Sequence, residues 1–598
     1  MASRVREGLD VHMCATGSNA KSITWTPDTI INDDGLVLDE FKDMRTLVER
    51  GYELDSSGDD DISCNSVPGL LPRSHNYDSD TSPDTINILL NDDSDHSYIP
   101  SLKEYDSDTV PKSVEQALSL DCINGNTLWK EAIEKEVGQL LDYKTFQILA
   151  RGEKAPNDHT RVPLILCFNT KHDGRRCKAR IVAGGHVTDP GNEDVFSSVV
   201  SPECVRVVIF VAEHNGLDVW GGNFGNAYLN GVTELADTLR SLGWSRCKAF
   251  NDVWMKDCGL YYEYVAVYSD DIIVASKDPK LVYNQIKKTY TMEGVGVPEY
   301  YIGAECGHVK GEYKERGETS TQSVKTFLKN TIERVERELD TSLRTYTCPI
   351  DPDNHPDMDE TRILNGSAEI SKYRMLTGCS QWANILGRLD IVYAVSNLSH
   401  YNMAPRREGH MLAMKKLFGY LKGQLMGKII FDTCELDTSH ATYVDHGTWK
   451  QTYGDHVTEE LPLDCPEPKM KPVDITVYYN TSFACDSLTR RSVTEIFVFL
   501  NSTPMRRISK KHNTVETSTY CVKIVAERLG TENVLDFHYV LRMLGVPIVG
   551  PSKLLGYNMS VIQNCSLPSS QLKKKPNAIA HHRIRECVAA DIIELGIV

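Results

Sequence analysis

Residues 261–278 read YYEYVAVYSDDIIVASKD, two runs of apolar and β-branched residues separated by Ser269-Asp270-Asp271. Runs of this length and composition form buried strands, and the short polar break between them is a turn. The spacing therefore predicts an antiparallel hairpin whose tip carries two adjacent carboxylates. A buried hairpin needs further strands beside it, so this part of the chain must fold around a sheet. On its own an acidic turn is a solvated feature of many surfaces. Its meaning here depends on what the rest of the chain brings to it.

The segment SPECVRVVIFVAEHNG, residues 201–216, reads as a further helix. It leads into WGGNFGNAYLNG, residues 220–231, a second strand-like stretch. Upstream, NTLWKEAIEKEVGQLL reads as a helix whose apolar residues Trp129, Ile133, Val137 and Leu140 share one face, with Asn126 or Thr127 as cap. RVPLILCFNTKHDGRRCKARIVAGG reads as a hairpin turning at Asp173-Gly174. Lys178 and Arg180, two residues apart, share one face of its second strand. From 320 to 425 the pattern is helical. DITVYYNTSFACD, TEIFVFLNSTPMRRISKK and a helix over about 518–544 predict a final mixed domain.

Composition narrows the class. Of 598 residues 41% are apolar and 25% charged, ordinary for a chain that folds. No run approaches eighteen apolar residues, so no membrane span is expected. The seventeen cysteines form no CxxC pair, which points to reduced thiols inside a cell, with no zinc ribbon and no disulfide framework. MASRVREGLDVHMC lacks the apolar core of a secretory signal, so a cytoplasmic or nuclear location is expected. The net charge of −18 is uneven: residues 51–110 hold −12 of it, leaving −6 for the other 538. Repeated Ser-Asp stretches with few large apolar groups predict a largely disordered acidic region over residues 1–112. The near-neutral remainder permits a basic nucleic-acid face.

Taken in order, several short segments resemble the Ty1/copia-type retrotransposon polyprotein, in its reverse transcriptase followed by ribonuclease H. They are LWKEAIEKE, RRCKARIVAGGHVTDP, FSSVVSPECVRVVIFVAE, GNAYLNG, YVAVYSDDIIVASKD, YRMLTG, GRLDIVYAVSNLSHY, KKLFGYLKG, TRRSVTEIFVFLN and NAIAHHRIRE, spread from about Val114 to Glu586. Each is weak alone; their collinear order is specific. The resemblance implies an α+β multidomain chain. A right-hand polymerase with fingers and palm would occupy 113–310 and a helical thumb or connection 311–430. A ribonuclease H-like α/β domain would occupy 470–598. It further implies RNA-directed DNA synthesis on an RNA/DNA template-primer, with Mg2+ as cofactor. Asp270 and Asp271 match the catalytic, metal-binding pair. Tyr228 matches the aromatic residue that excludes a 2′-hydroxyl, and Lys178 and Arg180 lie in the segment facing the nucleotide. The sequence sets no oligomeric state.

The departures from that pattern fall on the chemistry. Asn223 stands where the resemblance places the first metal-binding Asp. In the terminal domain Asn480, Lys523 and Tyr557 stand where it places Asp, Glu and Asp. Each is one base change from an acidic codon. A two-metal site draws its charge from carboxylates, and a lysine repels the ions. Only 47 residues separate Asn223 from Asp270, room for a minimal strand–helix–strand unit but too short for the family's full palm segment. The expectation is a shortened, catalytically impaired copy. Two alternatives stay open. One is a non-enzymatic nucleic-acid binder using Lys171, Arg175, Arg176, Lys178 and Arg180, and the other is an unstable product.

Overall fold

The computed structural model describes residues 3–7, 9–13, 110–142, 146–148, 164–170, 177–183, 200–224, 232–310, 317–351, 356–403, 406–445, 448–454, 457–572 and 577–598. Most of the acidic region, the Asp173-Gly174 turn, Tyr228, Lys171, Arg175 and Arg176 lie outside the described residues. The described chain is α+β, and its contacts divide it into two units: residues 1–197 with 226–235, and residues 198–225 with 236–598.

In the first unit, strands β1 (Ser3–Glu7), β2 (Leu9–Met13) and β3 (Phe146–Ile148) form one antiparallel sheet. The hairpin at residues 3–13 is thus regular structure at the start of the region expected to be disordered. Helices α1 (Val114–Asn124) and α2 (Leu128–Asp142) pack with the hairpin of β4 (Leu164–Thr170) and β5 (Cys177–Ala183). Val114, Ala117, Leu120, Trp129, Ile133 and Ala179 form the core, with Trp129 edge-on to Phe168 at 5.6 Å. Thr127 caps α2 with its backbone carbonyl. The free N–H groups of Trp129 and Lys130 are met by the Asp121 carboxylate from α1, at 3.0 and 2.8 Å. This helix start is completed by a residue outside its own segment.

The second unit opens with α3 (Pro202–Asn215). Ser201 Oγ accepts from Cys204 N–H, Pro202 occupies the first turn, and Gly216 closes the helix at φ +66°. Val205, Val207, Val208, Phe210, Val211 and Ala212 are all buried, so this helix is enclosed on most sides. It packs against a six-stranded sheet containing β6 (Asp218–Phe224), β7 (Ser245–Arg246), β8 (Val253–Asp257), β9 (Tyr262–Tyr268), β10 (Asp271–Ser276) and β11 (Met292–Gly296), in the order β11-β6-β10-β9-β8-β7. Helices α4 (Val232–Ser241) and α5 (Pro279–Ile286) complete this region. The interval between Asn223 and Asp270 carries a helix and three strands, more than the strand–helix–strand unit expected. Two of those strands, β7 and β8, extend the sheet to its edge.

Strands β12 (Tyr300–Tyr301), β13 (Ala304–Lys310), β14 (Glu318–Ser323) and β15 (Lys428–Ile430) form a four-stranded sheet beside helices α6 (Lys325–Leu339), α7 (Ser367–Ile385), α8 (Val392–Ser399) and α9 (Glu408–Gly423). The helices match the expected pattern; the sheet was not expected. Strand β14 buries Thr319, Thr321 and Gln322, so no apolar alternation announces it.

After β16 (Thr442–Tyr443) and α10 (Thr448–Tyr453) comes the terminal region, with β17 (Ile475–Ser482), β18 (Val493–Leu500), β19 (Thr503–Lys511), α11 (Thr519–Met543), β20 (Ser552–Gly556), α12 (Met559–Ser566), α13 (Ala578–Ala589) and β21 (Ile593–Ile597). The sheet order is β16-β21-β20-β17-β18-β19. Strands β17, β18 and β19 are antiparallel neighbours, whereas β20 and β21 join in parallel. One hydrophobic core runs from Val205–Ala275 of the first six-stranded sheet into Val473–Leu595 of the terminal one. Glu203 of α3 meets Arg506 of β19, and Tyr264 of β9 donates its hydroxyl to the Leu544 carbonyl at the end of α11, at 2.5 Å.

Candidate functional site

The expected hairpin forms: β9 pairs with β10, and Asp271 lies opposite Tyr268. Ser269 opens the turn at φ +53°, a left-handed conformation uncommon for a residue with a side chain. The Asp270 carbonyl accepts the Phe224 N–H at 2.7 Å, fastening the turn to β6.

Strand β6 lies on the other side of β10, in a register that places Asn223 directly opposite Asp271. Residues opposite one another in adjacent strands share a face of the sheet. Asn223 Nδ2 donates to Asp271 Oδ1 at 3.0 Å. Turning the amide over would set two acceptor oxygens against each other, so the hydrogen bond itself specifies which way Asn223 points. On its other flank Asn223 lies opposite the exposed Glu293 of β11, a carboxylate that no motif had singled out.

Behind this face the strands are held from α5. The Tyr283 hydroxyl lies 3.1 Å from the Trp220 carbonyl and 3.0 Å from the Ile272 carbonyl, bridging β6 and β10. A Cβ on Gly222 would stand 2.8 Å from the Tyr283 ring, so glycine there admits the tyrosine. Burial and the nearby Asp271 charge push the Tyr283 phenol well above its ordinary range.

A second site forms where β17 meets α11. Lys523 Nζ donates to Asn480 Oδ1 at 2.5 Å and to the Thr481 carbonyl at 2.8 Å. Partial burial lowers the lysine's pKa below its ordinary value. Tyr557 is exposed and directly follows β20. Tyr478 pairs with Leu555 in these parallel strands, so Asn480 and Tyr557 lie two residues further along each. One turn along α11 from Lys523, the fully buried Glu527 accepts the Tyr479 hydroxyl at 2.9 Å. Sequence reading missed Glu527, because a glutamate in a helix carries no sign of burial.

Lys178 and Arg180 stand on β5, opposite Asn169 and Cys167, with Arg180 exposed. They belong to the first unit, while Asn223, Asp270 and Asp271 belong to the second. Among the described residues no three His, Cys, Asp or Glu side chains converge as a metal-holding group. No described helix is long and apolar enough to cross a membrane.

A mixed α and β chain carrying these segments in this order is a relative of retroelement polyproteins. It is 20% identical over 519 residues to the Retrovirus-related Pol polyprotein from transposon RE1 of Arabidopsis thaliana, a match covering 78% of this chain and 32% of that one. It is 27% identical over 223 residues to a putative transposon Ty5-1 protein of Saccharomyces cerevisiae, covering 36% of this chain and 67% of that one. The chain thus spans about a third of the Arabidopsis polyprotein. No family model matches it. Among solved structures, a foamy viral protease-reverse transcriptase in complex with double-stranded DNA matches at 12% identity. That match covers 79% of this chain and 70% of that one with a TM-score of 0.17, too low to support a common fold.

Proposed function

We propose that the chain is a retroelement-derived reverse transcriptase and ribonuclease H region, of the Ty1/copia type, whose two metal sites have been disabled. The hydrogen bond from Asn223 to Asp271 carries this reading. In it, β6, β9 and β10 are the core of a polymerase palm, and Asp270 and Asp271 are the surviving members of its catalytic triad of carboxylates. Magnesium is a hard ion that binds through carboxylate and phosphate oxygens. Here an amide N–H occupies an Asp271 oxygen that such an ion would use, and one negative charge is missing. The residues do not fit a two-metal centre. Losing several kcal/mol of metal stabilisation slows turnover by orders of magnitude.

The terminal sheet supports the second half of the reading. Three antiparallel strands, a long helix and two further parallel strands suit a ribonuclease H-like domain. Asn480, Lys523 and Tyr557 then mark its former carboxylates. The Lys523 ammonium sits on Asn480 and repels divalent ions from that end of β17. Lys178, Arg180 and Tyr228 keep the nucleotide-facing roles that the family resemblance implies, and a template-primer remains the ancestral partner. A shared core joining both sheets favours a folded remnant over an unstable product.

Primer extension on an RNA template, with Mg2+ and then Mn2+, tests the reading beside Asn223→Asp. No extension by the unaltered chain is expected. Extension by it would overturn the proposal. A second reading, nucleic-acid binding without catalysis, draws on the shared face of Lys178 and Arg180. It requires binding that weakens steeply with salt.

A further inference from the structure

The terminal domain buries a carboxyl group that the proposed function does not use. Glu527 lies in the middle of α11 and is fully buried. One carboxyl oxygen accepts from Tyr479 of β17, and the other, Oε1, has no hydrogen-bond partner. Among the described residues no lysine or arginine forms an ion pair with it. The titratable groups facing it are Tyr479 from β17, Tyr520 from its own helix and Cys565 from α12. Behind Cys565 stands His581 of α13, with Nδ1 3.9 Å from the sulfur, and Arg585 acts on Cys565 from the same helix. A Cβ on Gly556 of β20 would lie 2.3 Å from the Tyr479 ring, so the tyrosine is clamped in place. Four elements therefore close around one acid group that lacks a counter-charge.

We propose that Glu527 is a proton latch: the terminal domain closes with a proton on this carboxyl and loosens when the proton leaves. An unpaired buried carboxylate is strongly disfavoured, whereas the protonated acid fits this site. Burial raises the Glu527 pKa to about 8. In the unfolded chain the group ionises in the ordinary carboxylate range. Between that range and about 8 the folded state holds one proton that the unfolded state has lost, so stability falls as pH rises. The folding constant drops about tenfold per pH unit over that window, and the dependence ends above about 8. The first contacts to loosen are those of β17 with α11, next to the Asn480–Lys523 pair.

The test is hydrogen exchange of the full chain from pH 6.5 to 8, corrected for intrinsic rates and read on peptides 475–482 and 519–543. Unfolded-state histidines titrate near about 6.5 and affect both chains alike, so the comparison with Glu527→Gln isolates the carboxyl. Relative to Glu527→Gln, the unaltered chain should lose protection by about tenfold per pH unit. Tyr479→Phe removes one of two donors that favour the ionised form, the Cys565 thiol being the other, and should carry the loss to higher pH. An infrared carbonyl band of a protonated acid at pH 6.5, absent from Glu527→Gln, is also expected. Equal pH slopes in the unaltered and Glu527→Gln chains, or no such band, would overturn the proposal. Neither result bears on primer extension.

Discussion

Asn223 and Asp271 face each other across the adjacent strands β6 and β10 of the first six-stranded sheet, joined by a 3.0 Å hydrogen bond from amide to carboxylate. Replacing that amide with a second carboxylate removes the donor and opposes two like charges in register. Asn223→Asp should therefore cost about 1 kcal/mol in the absence of divalent ions. Mg2+ or Mn2+ should restore the melting temperature of the variant and leave that of the unaltered chain in place. An equal response of both proteins to the ions would contradict the proposed loss of the metal site.

Lys523 is fixed by two oxygens at the end of β17. Removing its ammonium with Lys523→Met should cost about 1 kcal/mol, a modest figure because the side chain is partly exposed. Urea denaturation measures it. The double variant Asn480→Asp with Lys523→Glu should gain an affinity for Mn2+, visible by calorimetry, that the parent lacks.

Glu203 and Arg506 join α3 to the terminal sheet, and Arg506 also reaches Asp536 at 2.7 Å and Asn533 at 2.9 Å. The Arg506 charge holds the partly buried Glu203 carboxyl below its ordinary range despite the desolvation that opposes it. Glu203→Gln should cost about 2 kcal/mol, since a partly buried guanidinium loses a charged hydrogen-bond partner. Because one core spans both sheets, hydrogen exchange should quicken in β9 and β19 together. Loss confined to either sheet would show that the two unfold separately.

The Tyr264 hydroxyl donates to the Leu544 carbonyl, which caps the end of α11, in a buried setting. Tyr264→Phe keeps the ring and strands the Leu544 carbonyl, which should cost about 1–2 kcal/mol. Thermal denaturation beside the exposed control Tyr300→Phe checks it, and the control should be neutral.

By itself the sequence determined the local elements and the relation to retroelement polyproteins. Continuous apolar runs around Ser269-Asp270-Asp271 specify a hairpin, because β-branched residues and a polar break leave the backbone few other choices. The resemblance names Asn223, Asn480, Lys523 and Tyr557 as positions where carboxylates are expected. Periodicity located the helix α2, whose apolar residues Trp129, Ile133 and Val137 recur at helical spacing. Tertiary structure alone decided what those residues touch. Register across β6 and β10 set Asn223 on Asp271 and left Glu293 on its other flank, and register depends on strands far apart in the chain. Strand β14 stayed hidden because its buried side chains are polar, paired by backbone bonds with β13 and β15. Glu527 stayed hidden because burial belongs to a place in the packed molecule, where four elements exclude water, and one helix written as letters cannot show it.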